Sequence, residues 1–547
     1  MATLSFKGKS FVQNHHLAVK YHELIPVKKK SLTDKVSLND NLIIHGDNLK
    51  ALKALLPTYA GKIRCIYIDP PYNTGNEGWA YNDNVNSPMM QEWLGKVVDK
   101  EDLTRHDKWL CMMTPRLKLL RELLREDGVI FVSNDENEAR HIKMLMDEIF
   151  GERNSIGTLI WRKKEGGGQT DTYFVTEHEY VVVYAKSEQF EWLDETIPVS
   201  EAEFNKRDRN GSFTAIKLAK WGVGARKEDR PKMYFPIKAP DGTNVYPKTP
   251  DGREGRWRVG KTRMTEIIEN ELIYWQKKDA GWIPYEKEYY EKGKAKTIKE
   301  RSILYEVANT GDASNELKDI FGIKDVFDNP KPKELIKFLI RYATSEDSIV
   351  LDSFAGSGTT AHAVLDLNKE DGGHRKFILV ECEDYADDLT AERIRRVIKG
   401  VPDAKDEKLK SGLGGSFSYF ELGEPIEMES ILTGNKLPSY MNLARYVSYT
   451  ATGEEFLPDK VNEDKHFIGE SKEYEVYLFY KPDLTYLKST ALTLDTAKGL
   501  GEYTGKKKLV FAPTKYLDLN DSELLAKHGL KGIEYCQLPF EIYRLRE

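Results

Sequence analysis

The sequence predicts an α/β fold: a Rossmann-like, doubly wound, mixed but mostly parallel sheet, built from two separated stretches of chain. Three observations predict it. Short apolar runs alternate with amphipathic segments over residues 41–153, the pattern of βαβ units. The same alternation resumes over 316–400. Neither stretch alone supplies the roughly six strands of a doubly wound sheet. The two halves are therefore joined into one sheet, with a large insertion at 154–315 and an α+β region at 401–547.

The elements follow in order. Residues 1–40 are polar and lysine-rich, with Lys28-Lys29-Lys30, and read as an arm packed on the main domain. His15, His16 and His22 lie there without a carboxylate cluster; they read as surface residues, and no metal is expected. Leu42-Ile43-Ile44 is a short strand ending in His45-Gly46-Asp47-Asn48, and a helix runs from Leu49 to Leu56. Ile63 to Ile68 is a buried strand. A polar, Asn-rich loop spans Asn73 to Asn86. Leu117, Leu120, Leu123 and Leu124 recur at helical spacing within Trp109–Arg125. Asp127-Gly128 ends that helix before a strand at Val129–Val132, and a further helix covers Glu138–Phe150. In the second half, Ile349–Leu351 and Phe377–Val380 are strands, with helices at Thr360–Leu367 and Thr390–Lys399. Tyr474–Tyr480 is a strand of the C-terminal region.

Bulk properties bound the function. The 547 residues are 40% hydrophobic, enough for packed cores, and the net charge of −6 is not that of a basic DNA binder. Any nucleic-acid site must be local. Residues 201–300 hold 23 Lys and Arg against 16 Asp and Glu, a surplus of 7 that leaves −13 for the rest. Six of the nine tryptophans fall within 154–315, which suggests a small core of its own or a stacking surface. Cys65, Cys111, Cys382 and Cys536 lack CxxC spacing, so zinc ribbons and disulfide frameworks are not expected. No segment reads as a signal peptide or membrane span, and the expected location is the cytoplasm.

Two motifs carry chemistry. Asp69-Pro70-Pro71-Tyr72 directly follows a buried strand. Two prolines cannot continue a ladder, so the chain must turn there. A carboxylate, a stiff carbonyl pair and an aromatic ring then meet at a strand's C-terminal end, where open α/β sheets bind ligands. Carboxylate and carbonyl can accept both hydrogens of an exocyclic amine while the ring stacks on the base. The second motif is Asp352-Ser353-Phe354-Ala355-Gly356-Ser357-Gly358-Thr359-Thr360, a glycine turn between strand and helix. Glu381 ends the next strand, at the spacing where a carboxylate takes ribose hydroxyls.

These residues resemble the amino-group DNA methyltransferases, which make N6-methyladenine or N4-methylcytosine. The catalytic motif precedes the cofactor motif, the circularly permuted order of the β class. The resemblance extends to the modification (Mod) subunits of type III restriction systems and covers nearly the whole chain. It implies an S-adenosylmethionine-dependent methyltransferase fold, with Asp69, Pro70, Pro71 and Tyr72 as catalytic residues. Asp352, Phe354, Ala355, Gly356, Ser357, Gly358, Thr359 and Glu381 would bind S-adenosylmethionine. Asn329-Pro330-Lys331-Pro332 resembles the motif before the cofactor strand, which would put Lys331 at the methionine end. Asp47 resembles the acidic residue at the cofactor's adenine, although a helix N-terminal carboxylate needs no ligand.

The expected reaction is methylation of adenine N6 in double-stranded DNA, on a base flipped out of the duplex. Cytosine N4 is the alternative target. Cytosine C5 is disfavoured because none of the four cysteines follows a proline. Related protein-glutamine and RNA methyltransferases typically carry Asn at the place of Asp69. Within 154–315, the expected target-recognition region, Lys163, Lys164, Gln169, Arg226, Arg256, Trp257 and Arg258 are candidate DNA contacts. Gly255 to Thr262 matches the P-loop pattern, yet a turn rather than a strand precedes it, so nucleotide binding is not expected. By resemblance, the C-terminal region would support a homodimer or dock an ATP-dependent restriction subunit; an orphan methylase without that partner is the alternative.

Overall fold

The computed structural model describes residues 4–74, 104–166, 173–279, 281–293, 295–426, 434 and 437–538. Gln169 and most of the Asn-rich stretch, from 75 to 86, lie outside the described residues. The chain divides into two compact units: residues 1–193 with 301–547, and the inserted residues 194–300.

The first unit is organised by a ten-stranded sheet. In chain order its strands are β1 (His22–Pro26), β2 (Leu42–His45), β3 (Ile63–Ile68), β4 (Leu124–Asn134), β5 (Ser155–Arg162), β6 (His178–Ala185), β7 (Ile303–Leu304), β8 (Ile349–Asp352), β9 (Lys376–Glu381) and β10 (Ser418–Pro425). The spatial order is β1-β10-β2-β9-β8-β3-β4-β6-β5-β7. From β10 to β4 every neighbouring pair is parallel. β6 then runs antiparallel to β4. The cofactor-half strands β8 and β9 thus insert between β2 and β3 of the first half, which makes the two stretches one sheet.

Strand composition explains the burial of both faces. In β3 all of Ile63-Arg64-Cys65-Ile66-Tyr67-Ile68 are buried, the continuous apolar run of a sheet covered on both sides. Alternate residues serve different layers. Ile66, Ile68, Ile130 and Val132 pack with Leu52 and Leu55 of α1 (Asn48–Tyr59) and Leu117 and Leu120 of α2 (Arg105–Leu123). Cys65, Tyr67, Val129 and Phe131 share the opposite core with α5 (Lys333–Ala343), α6 (Thr359–Asp371) and α7 (Glu392–Lys399). Two further helices of this unit are α3 (Ala139–Met146) and α4 (Thr310–Phe321).

The insertion divides differently from the expected 154–315. β5 and β6 continue the main sheet, and β7 pairs with β5. Trp161 is buried in the main core, and Trp192 stacks on Tyr342 with centroids 5.6 Å apart. Four of the clustered tryptophans remain in the 194–300 unit. There an antiparallel four-stranded sheet (Ile273–Lys278, Gly281–Tyr289, Gly211–Lys217, Lys206–Asp208) accompanies a helix, Lys261–Glu269. Its core gathers Leu218, Phe235, Trp257, Met264 and Ile267.

The ends also differ from expectation. The arm contributes β1 to the sheet edge, and His15, His16 and His22 are buried rather than surface residues. Burial, then Lys118 and Lys53, pushes the His16 imidazole down to about 4. Beyond β10, which belongs to the main sheet, α8 (Tyr440–Thr452) packs with a separate sheet of Phe467–Glu470, Tyr474–Leu478, Lys507–Ala512 and Ile533–Gln537. Among the described residues no helix is long and apolar enough to cross a membrane.

Candidate active site

The C-terminal ends of β3, β8 and β9 lie side by side, because those strands are neighbours in the parallel sheet. Asp69 follows β3, the glycine turn follows β8, and Glu381 ends β9. A cavity of about 480 Å³ opens there. Asp69, Pro70, Pro71, Tyr72, Lys331, Asp352, Phe354, Ala355, Gly356, Ser357, Thr359 and Glu381 all line it. Residues 280 positions apart in sequence are thereby brought to one pocket.

The corner at Asp69–Tyr72 is braced from several sides. Trp109 of α2 donates its indole N–H to the Pro71 carbonyl at 2.7 Å. Lys331 Nζ lies 2.9 Å from Asp69 Oδ2 and 3.4 Å from Glu179 Oε2. The same ammonium sits 4.8 Å from the Tyr72 ring centroid. Tyr72 OH donates to Glu179 Oε2 at 3.0 Å, and Lys163 Nζ reaches Glu179 Oε1 at 3.1 Å. Burial works against the charge of Lys331, but Asp69 and Glu179 outweigh it and hold its pKa above that of an ordinary lysine. Burial likewise opposes the charge of Glu179, and Lys331 and Lys163 more than compensate, so its pKa is lowered. Asp69 Oδ1 stays buried with no partner among the described residues.

Behind the corner, Asn73 adopts φ 59°, a left-handed conformation uncommon for a side-chain-bearing residue. Its amide donates to Glu138, a fully buried carboxylate. His106 Nδ1 and His141 Nδ1 meet the two oxygens of Glu138 at 2.6 and 2.7 Å. The residue after the catalytic motif is thus tied to α2 and α3.

The glycine turn is built for close approach. Gly356 has φ 51°, and a Cβ there would lie 3.3 Å from Phe327. Gly358 has φ 79°, and its Cβ would lie 3.1 Å from Thr390 O. Gly358 supports the turn and starts α6 without lining the cavity. Asp352 accepts from Phe354 N–H at 3.0 Å and from Thr360 Oγ1 at 2.5 Å. Burial first, and then Asp69 and Glu381, push its carboxyl up to about 7 against those hydrogen bonds. Glu381 accepts from Gly356 N–H at 2.7 Å, Cys382 N–H at 2.9 Å and Glu383 N–H at 3.0 Å. These observations fit S-adenosylmethionine. Two carboxylates face a cavity within the usual small-molecule range of about 300–1,000 Å³, and the buried Ser353 hydroxyl has no partner among the described residues.

Several expected site residues lie elsewhere. Asp47 caps α1 by accepting from Lys50 N–H at 3.1 Å and does not line the cavity. Its cap on α1 stands without any ligand, and its side chain stays partly exposed. Trp257 is fully buried and donates to Phe235 O at 2.8 Å, so it is a core residue of the 194–300 unit and not a DNA contact. Arg256 spends its guanidinium on Gly224 O, Met233 Sδ and Trp257 O, which makes it a brace for the same core. Arg226 and Arg258 are exposed, while Lys163 and Lys164 are half-buried. Gly260 caps the helix Lys261–Glu269 with no strand before it, so the P-loop pattern has no P-loop context.

Sequence reasoning missed Glu179, Glu138, Asn73 and Trp109. A lone carboxylate opening the apolar strand His178-Glu179-Tyr180-Val181-Val182-Val183 was a usable signal for Glu179. Glu138 offered only the local pair with His141, three residues on, since Asn73 and His106 come from two other places in the chain.

Known proteins share this arrangement of sequence. Residues 63–392 match the N6/N4 methylase family model, described as DNA methylase. The type III restriction-modification enzyme EcoPI Mod subunit of Escherichia phage P1 is 34% identical over 443 residues, 73% of this chain and 68% of that one. The StyLTI Mod subunit of Salmonella typhimurium is 33% identical over 454 residues, 78% of this chain and 66% of that one. The type II methyltransferase M.KpnI of Klebsiella pneumoniae is 32% identical over 408 residues, 70% and 93% of the two chains. This chain spans about two thirds of the length of the two Mod subunits. With a match running from the first residue of β3 to the first residue of α7, the chain belongs to the N6/N4 DNA methylases.

Proposed function

We propose that this chain methylates adenine N6 in double-stranded DNA, within a site-specific modification system of the type III kind. The observation that carries the reading is the corner at the end of β3, where a buried Asp69 oxygen without a partner among the described residues lines one cavity with Tyr72 and the glycine turn.

The amine of adenine is a poor nucleophile because its lone pair is delocalised into the ring. Asp69 Oδ1 and the Pro70 carbonyl accept its two hydrogens and favour tetrahedral geometry as positive charge develops on nitrogen. Tyr72 stacks on the base, and its hydroxyl on Glu179 fixes the plane of the ring. Lys331 holds the other Asp69 oxygen, so the carboxylate is oriented before substrate arrives. Asp352, Glu381 and the backbone of Phe354 to Ser357 would hold S-adenosylmethionine, which would supply the electrophilic methyl group on its sulfonium. A base within a duplex cannot reach the cavity, so the target must turn out of the stack.

The partners proposed are double-stranded DNA, a second copy of the chain and an ATP-dependent restriction subunit. Long-read mapping of modified bases in host DNA, with and without the gene, tests the reading. N6-methyladenine in one sequence context, lost with the gene, is the expected result. N4-methylcytosine instead, or no change, would overturn the adenine assignment.

A further inference from the structure

Between β5 and β6 the chain leaves the main sheet and returns, and its two legs are tied together at the exit. Lys163 N–H donates to Glu177 O at 2.8 Å, and Gly166 N–H donates to Glu177 Oε1 at 3.1 Å. The same legs form part of the catalytic wall, because Lys163 and Tyr72 share Glu179. On the returning leg Tyr173 and Phe174 are each 89% exposed, with Val175 beside them at 38%.

Single exposed apolar residues are ordinary. Two consecutive aromatic rings left in water a few residues before Glu179 of the cavity wall are not explained by folding. Their position has a use. Phe174 is five residues from Glu179, so a fully extended chain would place it at most about 17 Å away, which is about five base-pair steps of a duplex. A base held in the cavity leaves a gap in its duplex within that reach. Planar side chains recover stacking at such gaps, and base–aromatic stacking is worth roughly ten- to a hundredfold per base. Lys164, on the same outgoing leg, carries a charge for a phosphate, whereas Lys163 is spent on Glu179.

We propose that Tyr173 and Phe174 form a wedge that enters the duplex at the target position and fills the gap left by the turned-out base. This inference rests on the methyl-transfer reading above. It concerns the orphaned stack rather than the reacting base.

The test uses the full chain and two duplexes carrying the mapped recognition sequence. In one the target is paired; in the other it is mismatched and already loosened. In separate copies of both duplexes, used for fluorescence and not for transfer because the base lacks a 6-amino group, 2-aminopurine replaces the target adenine and reports unstacking. The Tyr173→Ala/Phe174→Ala variant is expected to lose most of the fluorescence rise. Its single-turnover rate on the paired duplex should fall about ten- to a hundredfold. Its rate on the mismatched duplex and its S-adenosylmethionine affinity should stay within about twofold, and Tyr173→Phe should behave as wild type. Equal losses on both duplexes, or no loss on either, would overturn the wedge. No transfer by the wild-type chain on either duplex would overturn the methyl-transfer reading itself.

Discussion

Replacing Asp69 by Asn is expected to cost more than one negative charge, because Lys331 dictates which way the new amide turns. The ammonium lies 2.9 Å from Oδ2 and can only donate. The amide oxygen must therefore face Lys331, and the NH2 group takes the place of the unpartnered Oδ1. The incoming amine then meets a donor. Half a unit of positive charge developing about 3 Å from a carboxylate, at an effective dielectric of about 20, is worth about 3 kcal/mol. The unmade hydrogen bond adds about 1–3 kcal/mol. Together these slow methyl transfer by about 10³- to 10⁴-fold. Single-turnover transfer of labelled methyl to duplex DNA reads this directly, with cofactor affinity by calorimetry as the control. Adding Lys331→Met frees the amide to turn its oxygen to the substrate. The double variant should then be about tenfold faster than Asp69→Asn alone, a non-additivity expected of touching residues. An Asp69→Asn enzyme within tenfold of wild type, or a double variant no faster than the single, would refute the orientation argument.

Three further outcomes follow from the same geometry. Removing the buried carboxylate with Glu138→Ala releases the strained Asn73 backbone; transfer should slow about tenfold while cofactor affinity holds, and Glu138→Gln should retain more activity, by single-turnover kinetics and calorimetry. Gly358→Ala forces a left-handed backbone and a Cβ onto Thr390 O, costing about 1–2 kcal/mol for the backbone alone, so a lower midpoint in thermal melts and weaker cofactor binding are expected. The Asp352 carboxyl, raised to about 7 by burial, binds its proton more tightly folded than unfolded. Its contribution to stability is therefore present at low pH and lost as pH rises from about 4 through about 7. A cationic cofactor favours the ionised form, so its affinity should strengthen up to about tenfold per pH unit toward 7; titrations from pH 5 to 8 read the slope, and Asp352→Asn should flatten it.

Local pattern made much of the fold legible. The apolar runs at Ile63–Ile68 and Phe377–Val380 are strands because both sheet faces are covered, and composition reports that directly. Asp69 and the glycine turn were legible because each changes the chain's direction at a strand end. The insertion's limits were not, since nothing in the local composition of β5 and β6 names their neighbour and only pairing of β6 with β4 assigns them to the main sheet. Asp47 was ambiguous because a capping carboxylate and a ligand-binding one look alike in sequence. Trp257 was misjudged because flanking arginines made a core residue resemble a contact surface. Most partners of Glu179 (Lys331, Tyr72) and of Glu138 (Asn73, His106) lie far away in the chain, and no spacing rule encodes those pairings.

The position of β8 between β9 and β3 has a consequence for biosynthesis. β3 emerges from the ribosome about 280 residues before the strand that covers its open edge. At about 5–20 residues per second, that edge waits about 15–60 s with its backbone groups unpaired on one side. The nascent chain must carry the whole 194–300 unit through this interval. A pause or truncation anywhere before residue 349 leaves an apolar strand available to any passing chain. Yield in cells should therefore depend on chaperone supply more steeply than the stability of the finished protein would suggest.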